Sequence, residues 1–99
     1  MAKYLIVALN GPKEGEGTEE IYNKWYDEVH VPALLKVPGI VAARRYKTIQ
    51  SNLNWPYVAT YEIETDDFAM TMKAMGEGMG TFDPSFDREN SGSIVAIEL

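Results

Sequence analysis

Residues 56–64 read PYVATYEIE. Tyr57, Ala59, Tyr61 and Ile63 alternate with Val58, Thr60, Glu62 and Glu64, a period of two that sets an apolar face against a mixed one and predicts a half-buried antiparallel strand. Upstream, residues 40–50 (IVAARRYKTIQ) are rich in β-formers and are separated from this strand by SNLNWP, whose Asn and Pro residues favour turns. The two segments therefore make a hairpin. A turn centred near Leu53-Asn54 places Arg45 opposite Glu62 and Tyr46 opposite Tyr61. In that register Arg45 and Glu62 form a cross-strand ion pair on the far face. Arg44 and Tyr46 share the more apolar face of Tyr57, Ala59, Tyr61 and Ile63, the face that helices are expected to cover.

Working outward, residues 3–10 (KYLIVALN) form a short apolar run stopped by Gly11-Pro12, the pattern of a buried strand. A KEGEG connector follows. Thr18 is placed to cap a helix whose first turn carries Glu19 and Glu20, and Ile21, Trp25 and Val29 recur at four-residue spacing as its core stripe. After the hairpin, Thr65 or Asp66 caps a second helix with the stripe Phe68, Met72, Met75 and Met79, ended by glycines 76, 78 and 80. Asp83 and Pro84 predict a short helical turn carrying Phe82 and Phe86, either a lid or a brace for a dimer. SIVAIEL closes the chain as a strand. The order strand, helix, strand, strand, helix, strand predicts an α+β fold of the ferredoxin-like βαββαβ type, a four-stranded antiparallel sheet covered on one side by two helices, in a single domain over residues 1–99. The first and last strands are apolar on both faces, so the uncovered face calls for a second copy of the same sheet.

Composition narrows the function classes. The 99 residues carry a net charge of −6, concentrated in the second half, where two Lys/Arg face nine Asp/Glu. An acidic chain without a basic stripe makes nucleic acid and anionic membranes poor partners. The absence of cysteine excludes disulfides, thiolate metal sites and a cysteine nucleophile. No apolar run reaches the ~20 residues of a membrane span, and the expected location is the cytoplasm.

Residues 25–39, WYDEVHVPALLKVPG, hold the only histidine, two positions before a proline. Pro32 has no amide proton, so the Glu28 carbonyl loses its helical partner and the helix must bend or restart, with Pro32 opening a new turn. His30 follows Tyr22 and Tyr26 in a four-residue column at the edge of the Trp25/Val29 stripe. Two roles are open to it: a general acid or base facing a cavity, or a bridge to the freed carbonyl that locks the bend.

Trp25, the run Glu28-Val29-His30-Val31-Pro32, Val37-Pro38-Gly39 and Ala43-Arg44-Arg45-Tyr46 resemble the W…(E/N)xHxP…xPG…RRY pattern of EthD-like proteins, members of the dimeric α+β-barrel superfamily. Ala43 stands where some members carry an aromatic residue. The resemblance implies a homodimer with facing sheets, helices outside, and a cavity within each subunit. Relatives include cofactor-independent monooxygenases, cyclases, isomerases and proteins without known activity.

The expected function is therefore that of a small-molecule enzyme of isomerase, cyclase or lyase type, acting without cofactor or metal on an aromatic or polyketide-like carbonyl compound. In that reading His30 moves the proton, while Tyr46 and Tyr61 donate hydrogen bonds to a carbonyl or enolate oxygen. Arg44 attracts an anion and Asn10 adds a donor, unless Asn10 is simply a turn residue. Trp25, Tyr26, Met72, Met75, Phe82 and Phe86 would line the pocket for a small hydrophobic or aromatic ligand. The alternatives are a noncatalytic binding protein and a dimeric interaction module.

Overall fold

The computed structural model describes residues 1–99. Strand β1 (Ala2–Asn10) leads into helix α1 (Thr18–Trp25), a π-helical turn (Tyr26–His30) and helix α2 (Val31–Leu35). Strands β2 (Ile40–Lys47) and β3 (Tyr57–Thr65), helix α3 (Phe68–Gly78) and strand β4 (Gly92–Ile97) complete the chain. The sheet order is β2-β3-β1-β4, and every neighbour pair is antiparallel. This is the expected ferredoxin-like α+β arrangement. No helix is long and apolar enough to cross a membrane.

The alternation in β3 holds: Tyr57, Ala59, Tyr61 and Ile63 are all buried, opposite Asn10, Ala8, Ile6 and Tyr4 of β1. These residues form the inner face, against which Tyr22, Trp25, Tyr26, Leu34, Val37 and Met75 pack from the helical layer. The outer face carries Leu5, Val7 and Leu9 of β1 and Ile94 and Ala96 of β4. Where β1 ends, Gly11 lies under Pro56, and a Cβ there would come within 2.5 Å of the proline ring. Only glycine lets these two segments approach so closely.

Several local expectations are corrected. The hairpin closes where the Thr48 amide donates to the Pro56 carbonyl (2.8 Å) and the Thr48 hydroxyl to the Trp55 carbonyl (2.9 Å). Arg45 consequently pairs with Ala59, Tyr46 with Val58 and Arg44 with Thr60. The register differs from the expected one by three residues, an odd number, so each side chain of β2 changes face. Arg44 and Tyr46 lie on the outer face, and Arg45 lies on the inner one. The ion pair with Glu62 belongs to Arg44 (2.6 Å), not to Arg45. A bulge between Ile40 and Ala42 keeps Ile40 itself facing the core.

The stripe on α1 is also different. Ile21 and Val29 are each 56% exposed, whereas Tyr22, Trp25, Tyr26 and His30 are buried. The π turn, closed by the Val31 amide on the Tyr26 carbonyl, keeps His30 on nearly the same bearing as Tyr26, while Ile21, which precedes that turn, is exposed because α1 is rotated to set Tyr22 against the sheet. Tyr22, Tyr26 and His30 thus stay in one inward column. Pro32 stands in the first turn of α2, as its missing amide proton predicts.

Caps shift as well. Gly17, at φ 75°, precedes α1 and no side chain caps it, while Asp67 caps α3 by accepting from the Met70 amide (3.0 Å). Gly76 lies inside α3. Asp83 to Phe86 make a β-turn rather than a helical one, with the Phe86 amide on the Asp83 carbonyl (3.0 Å) and the Asp83 carboxylate accepting from Ser85.

Candidate functional site

Between the inner face of the sheet and the helices lies a cleft of about 460 Å³. Its floor comes from Ile6, Ala8 and Asn10 of β1 and Tyr61 of β3, and its open side from Ser93 and Val95 of β4. Tyr26, His30 and Leu34 form one wall; Met72, Met75, Gly76 and Met79 form the other, and Phe82, Phe86 and Arg88 close one end. A broader hollow of about 850 Å³ outside the Phe82–Phe86 turn is rimmed by Lys13, Glu14, Asp83, Asp87, Glu89 and Arg88, shares Phe82, Phe86 and Arg88 with the cleft, and does not reach His30.

Of the residues expected at a site, Asn10, Tyr26, His30, Tyr61, Met72, Met75, Phe82 and Phe86 come together around this cleft. Trp25 stands behind it, stacked on the His30 ring at 4.7 Å and 24°. Arg44 and Tyr46 are on the opposite face of the sheet, so neither can act here. The expected hydrogen-bond donation by Tyr46 and anion attraction by Arg44 are accordingly corrected.

His30 is only 4% exposed, and its Nδ1 has no hydrogen-bond partner. The ring is held by aromatic neighbours instead: Trp25, the edge of Tyr26 at 5.0 Å and Phe82 at 5.1 Å. No bond through Nδ1 ties it to the carbonyl freed by Pro32. Burial, and secondarily the positive charge of Arg45, lower its pKa to about 4, so the imidazole is neutral at pH 7.

A chain of hydroxyl and amide groups runs beneath the ring. The Tyr22 hydroxyl donates to Asn10 Oδ1, Asn10 Nδ2 donates to the Tyr26 hydroxyl oxygen (3.3 Å), and the Tyr61 hydroxyl donates to the same oxygen (3.4 Å). Asn10 is therefore a structural link rather than a free turn residue. Tyr26 accepts twice, and its own proton enters none of the protein's hydrogen bonds. Burial raises the Tyr61 pKa, with Tyr26 adding to the effect, and burial likewise raises that of Tyr22, so both phenols stay protonated.

Arg45 is the functional neighbour that the hairpin reading misplaced. Its guanidinium lies 4.2 Å over the Tyr26 ring and donates to Asp27 (2.8 Å) and Asn23 (2.8 Å). Arg88 was also missed. Its one signal in the sequence is that it is one of two cations among residues 51–99. Ser91 and Ser93 gave no signal at all. No three His, Asp or Glu side chains gather where they could hold a metal ion.

No protein-family model matches the chain, and no curated protein matches it. Solved structures do. An EthD family protein from Bacillus halodurans is 16% identical, with a TM-score of 0.68 and all of both chains covered. A DABB family protein with a ferredoxin-like fold from Mesorhizobium loti is 10% identical, with a TM-score of 0.68, covering 100% of this chain and 99% of that one. A dimeric ferredoxin-like protein of unknown function from Jannaschia sp. CCS1 is 14% identical, with a TM-score of 0.62, covering 94% of this chain and 96% of that one. At these identities the likeness is one of fold.

Proposed function

We propose that the protein binds a small, largely apolar carbonyl compound in the cleft and moves a proton on it without a cofactor, as an isomerase, cyclase or lyase of aromatic or polyketide-like substrates. The observation that carries this reading is the pairing of an unspent Tyr26 proton with a neutral His30 ring on one wall of a cleft otherwise lined by methionine, phenylalanine and aliphatic side chains. Tyr26 would donate to the carbonyl oxygen, with Asn10 and Tyr61 holding its phenol in place. His30 would take the proton from the neighbouring carbon. A pKa of about 4 makes the free imidazole a weak base. An oxygen that gains negative charge beside the ring favours the imidazolium and raises that pKa as the reaction proceeds.

The same low pKa favours a second reading, a noncatalytic carrier whose histidine is a buried aromatic spacer. An enolisable aromatic ketone, 2-tetralone, separates the two. Followed by NMR in D₂O, its α-protons should exchange faster with the wild-type protein than in buffer. His30→Ala and His30→Gln should lower the catalysed rate by about 10²–10⁴ while binding persists. Exchange at the buffer rate with tetralone bound would establish the carrier.

A homodimer paired through the outer sheet face belongs to the same proposal. It is supported by the exposed Leu5, Val41 and Ile94 on that face and by the dimeric ferredoxin-like protein among similar structures.

A further inference from the structure

We infer that the cleft selects an anionic ligand, a flat two-ring aromatic carboxylate, and that Arg88 at the cleft's end is the residue that selects it; this rests on the cleft being the binding site proposed above. Of the side chains lining the cleft, Arg88 alone is charged at neutral pH, since the others are apolar, hydroxyl, amide or the neutral imidazole. The four ion pairs of the chain engage the N-terminus, Lys3, Arg44 and Arg45, which leaves the Arg88 guanidinium without a carboxylate partner.

Arg88 is exposed, but two contacts fix its place at the end of the cleft. The guanidinium lies 4.8 Å above the Phe82 ring, and the Arg88 carbonyl accepts from the Ser91 hydroxyl at 2.8 Å. Phe82 in turn lies 5.1 Å from His30. Cation and imidazole are therefore no more than about 10 Å apart, close enough for one aromatic carboxylate to lie beside both.

The surrounding charge makes such a cation necessary. A protein of net charge −6 repels anions overall, and Asp83, Asp87 and Glu89 lie on the same connection as Arg88. Arg88 also borders the outer hollow that these carboxylates rim, but Asp83 is turned onto Ser85, none of the three pairs with the guanidinium, and none lines the cleft. A carboxylate entering from this end meets one cation with an open donor fork, which recognises two oxygens at once. The ring system then lies along Met72, Met75, Met79 and Phe86, and its far end reaches Tyr26 and His30.

Calorimetric titration at pH 7.5 with 6-hydroxy-2-naphthoate and its neutral amide, 6-hydroxy-2-naphthamide, tests the assignment. NMR of the His30 ring reports whether each compound occupies the cleft. The wild-type protein should bind the acid about tenfold more tightly than the amide. In Arg88→Gln the preference should fall to about twofold or less, with amide affinity little changed. In Arg44→Gln, on the other face, it should remain. Equal binding of both compounds by the wild type, or a preference that survives Arg88→Gln, overturns the role of Arg88 while the His30 signals still place the ligand in the cleft. If neither compound moves those signals, the binding-site reading fails and this inference with it.

Discussion

His30 and Arg45 show how much a side chain's surroundings decide. An imidazole ordinarily protonated near pH 6.5 is held neutral down to about pH 4 by burial against Trp25, Tyr26 and Phe82 and by the charge of Arg45. The unfolded chain takes up its proton near 6.5 and the folded chain only near 4. The stability contributed by the neutral ring is thus complete above pH 6.5 and is lost as the pH falls from 6.5 to 4. Its size is about 2–3 kcal/mol, allowing for solvent reaching the ring from the cleft. Urea unfolding at pH 7.5 and 4.5 should show the wild type losing that much more than His30→Leu, and the imidazole C2–H resonance should titrate near pH 4. A midpoint near 6.5 would contradict the burial argument. Arg45 and Arg44 are adjacent in sequence, yet they stand in opposite environments. Arg45, with a side chain 14% exposed, lies over Tyr26 and donates to Asp27 and Asn23. Arg45→Met should cost about 1–3 kcal/mol in urea unfolding. Arg44 reaches Glu62 on the outer face of the sheet, exposed in the single chain, and although that bond raises its pKa, Arg44→Met should cost less in urea unfolding than Arg45→Met. The reverse order of effects would restore the other hairpin register.

The helical segment from Thr18 to Leu35 is one continuous path with a widened turn in its middle, and the proline explains where that turn falls. Without an amide at 32, an α-helical bond to the Glu28 carbonyl cannot form, and the chain crosses that point through a π turn before α2 begins. The widened turn keeps His30 in line with Tyr26 and Tyr22 on the buried side, while Ile21 and Val29 lie in solvent. Pro32→Ala supplies the missing donor but frees the unfolded backbone, two effects of opposite sign, so the free energy of unfolding should change by less than about 1 kcal/mol. Circular dichroism and urea titration measure this, while the NMR shifts of His30 should move as the π turn gives way to an α turn. A variant that does not fold would show that the proline holds the segment together rather than merely bending it.

The outer sheet face exposes Leu5, Val41 and Ile94 in the single chain, beside the Arg44–Glu62 and Lys3–Glu64 pairs. Pairing of two such faces should bury at least ~1,200 Å² and persist at micromolar concentration. Sedimentation should therefore report a dimer for the wild type and a folded monomer for Ile94→Lys; a monomeric wild type would remove the sheet-to-sheet pairing. The fold itself was legible in the order of periodic segments. The alternation in PYVATYEIE, the apolar run before Gly11-Pro12 and the break at Pro32 are local properties, carried by backbone geometry within a few residues. Eight of the expected site residues also meet at the cleft, because inward-facing positions of a strand and the inner column of a helix converge whatever the details of their loops. What the linear order could not reveal is which of two adjacent arginines points inward. That choice depends on where the hairpin loop closes, at Thr48 and Pro56, and on a bulge at the start of β2. An odd shift in register leaves every local pattern intact and exchanges the two faces. The neutrality of His30 and the free proton of Tyr26 likewise depend on partners 15 to 52 residues away in the chain, Arg45 and Phe82 for the one and Asn10 and Tyr61 for the other, which only the packed structure brings together.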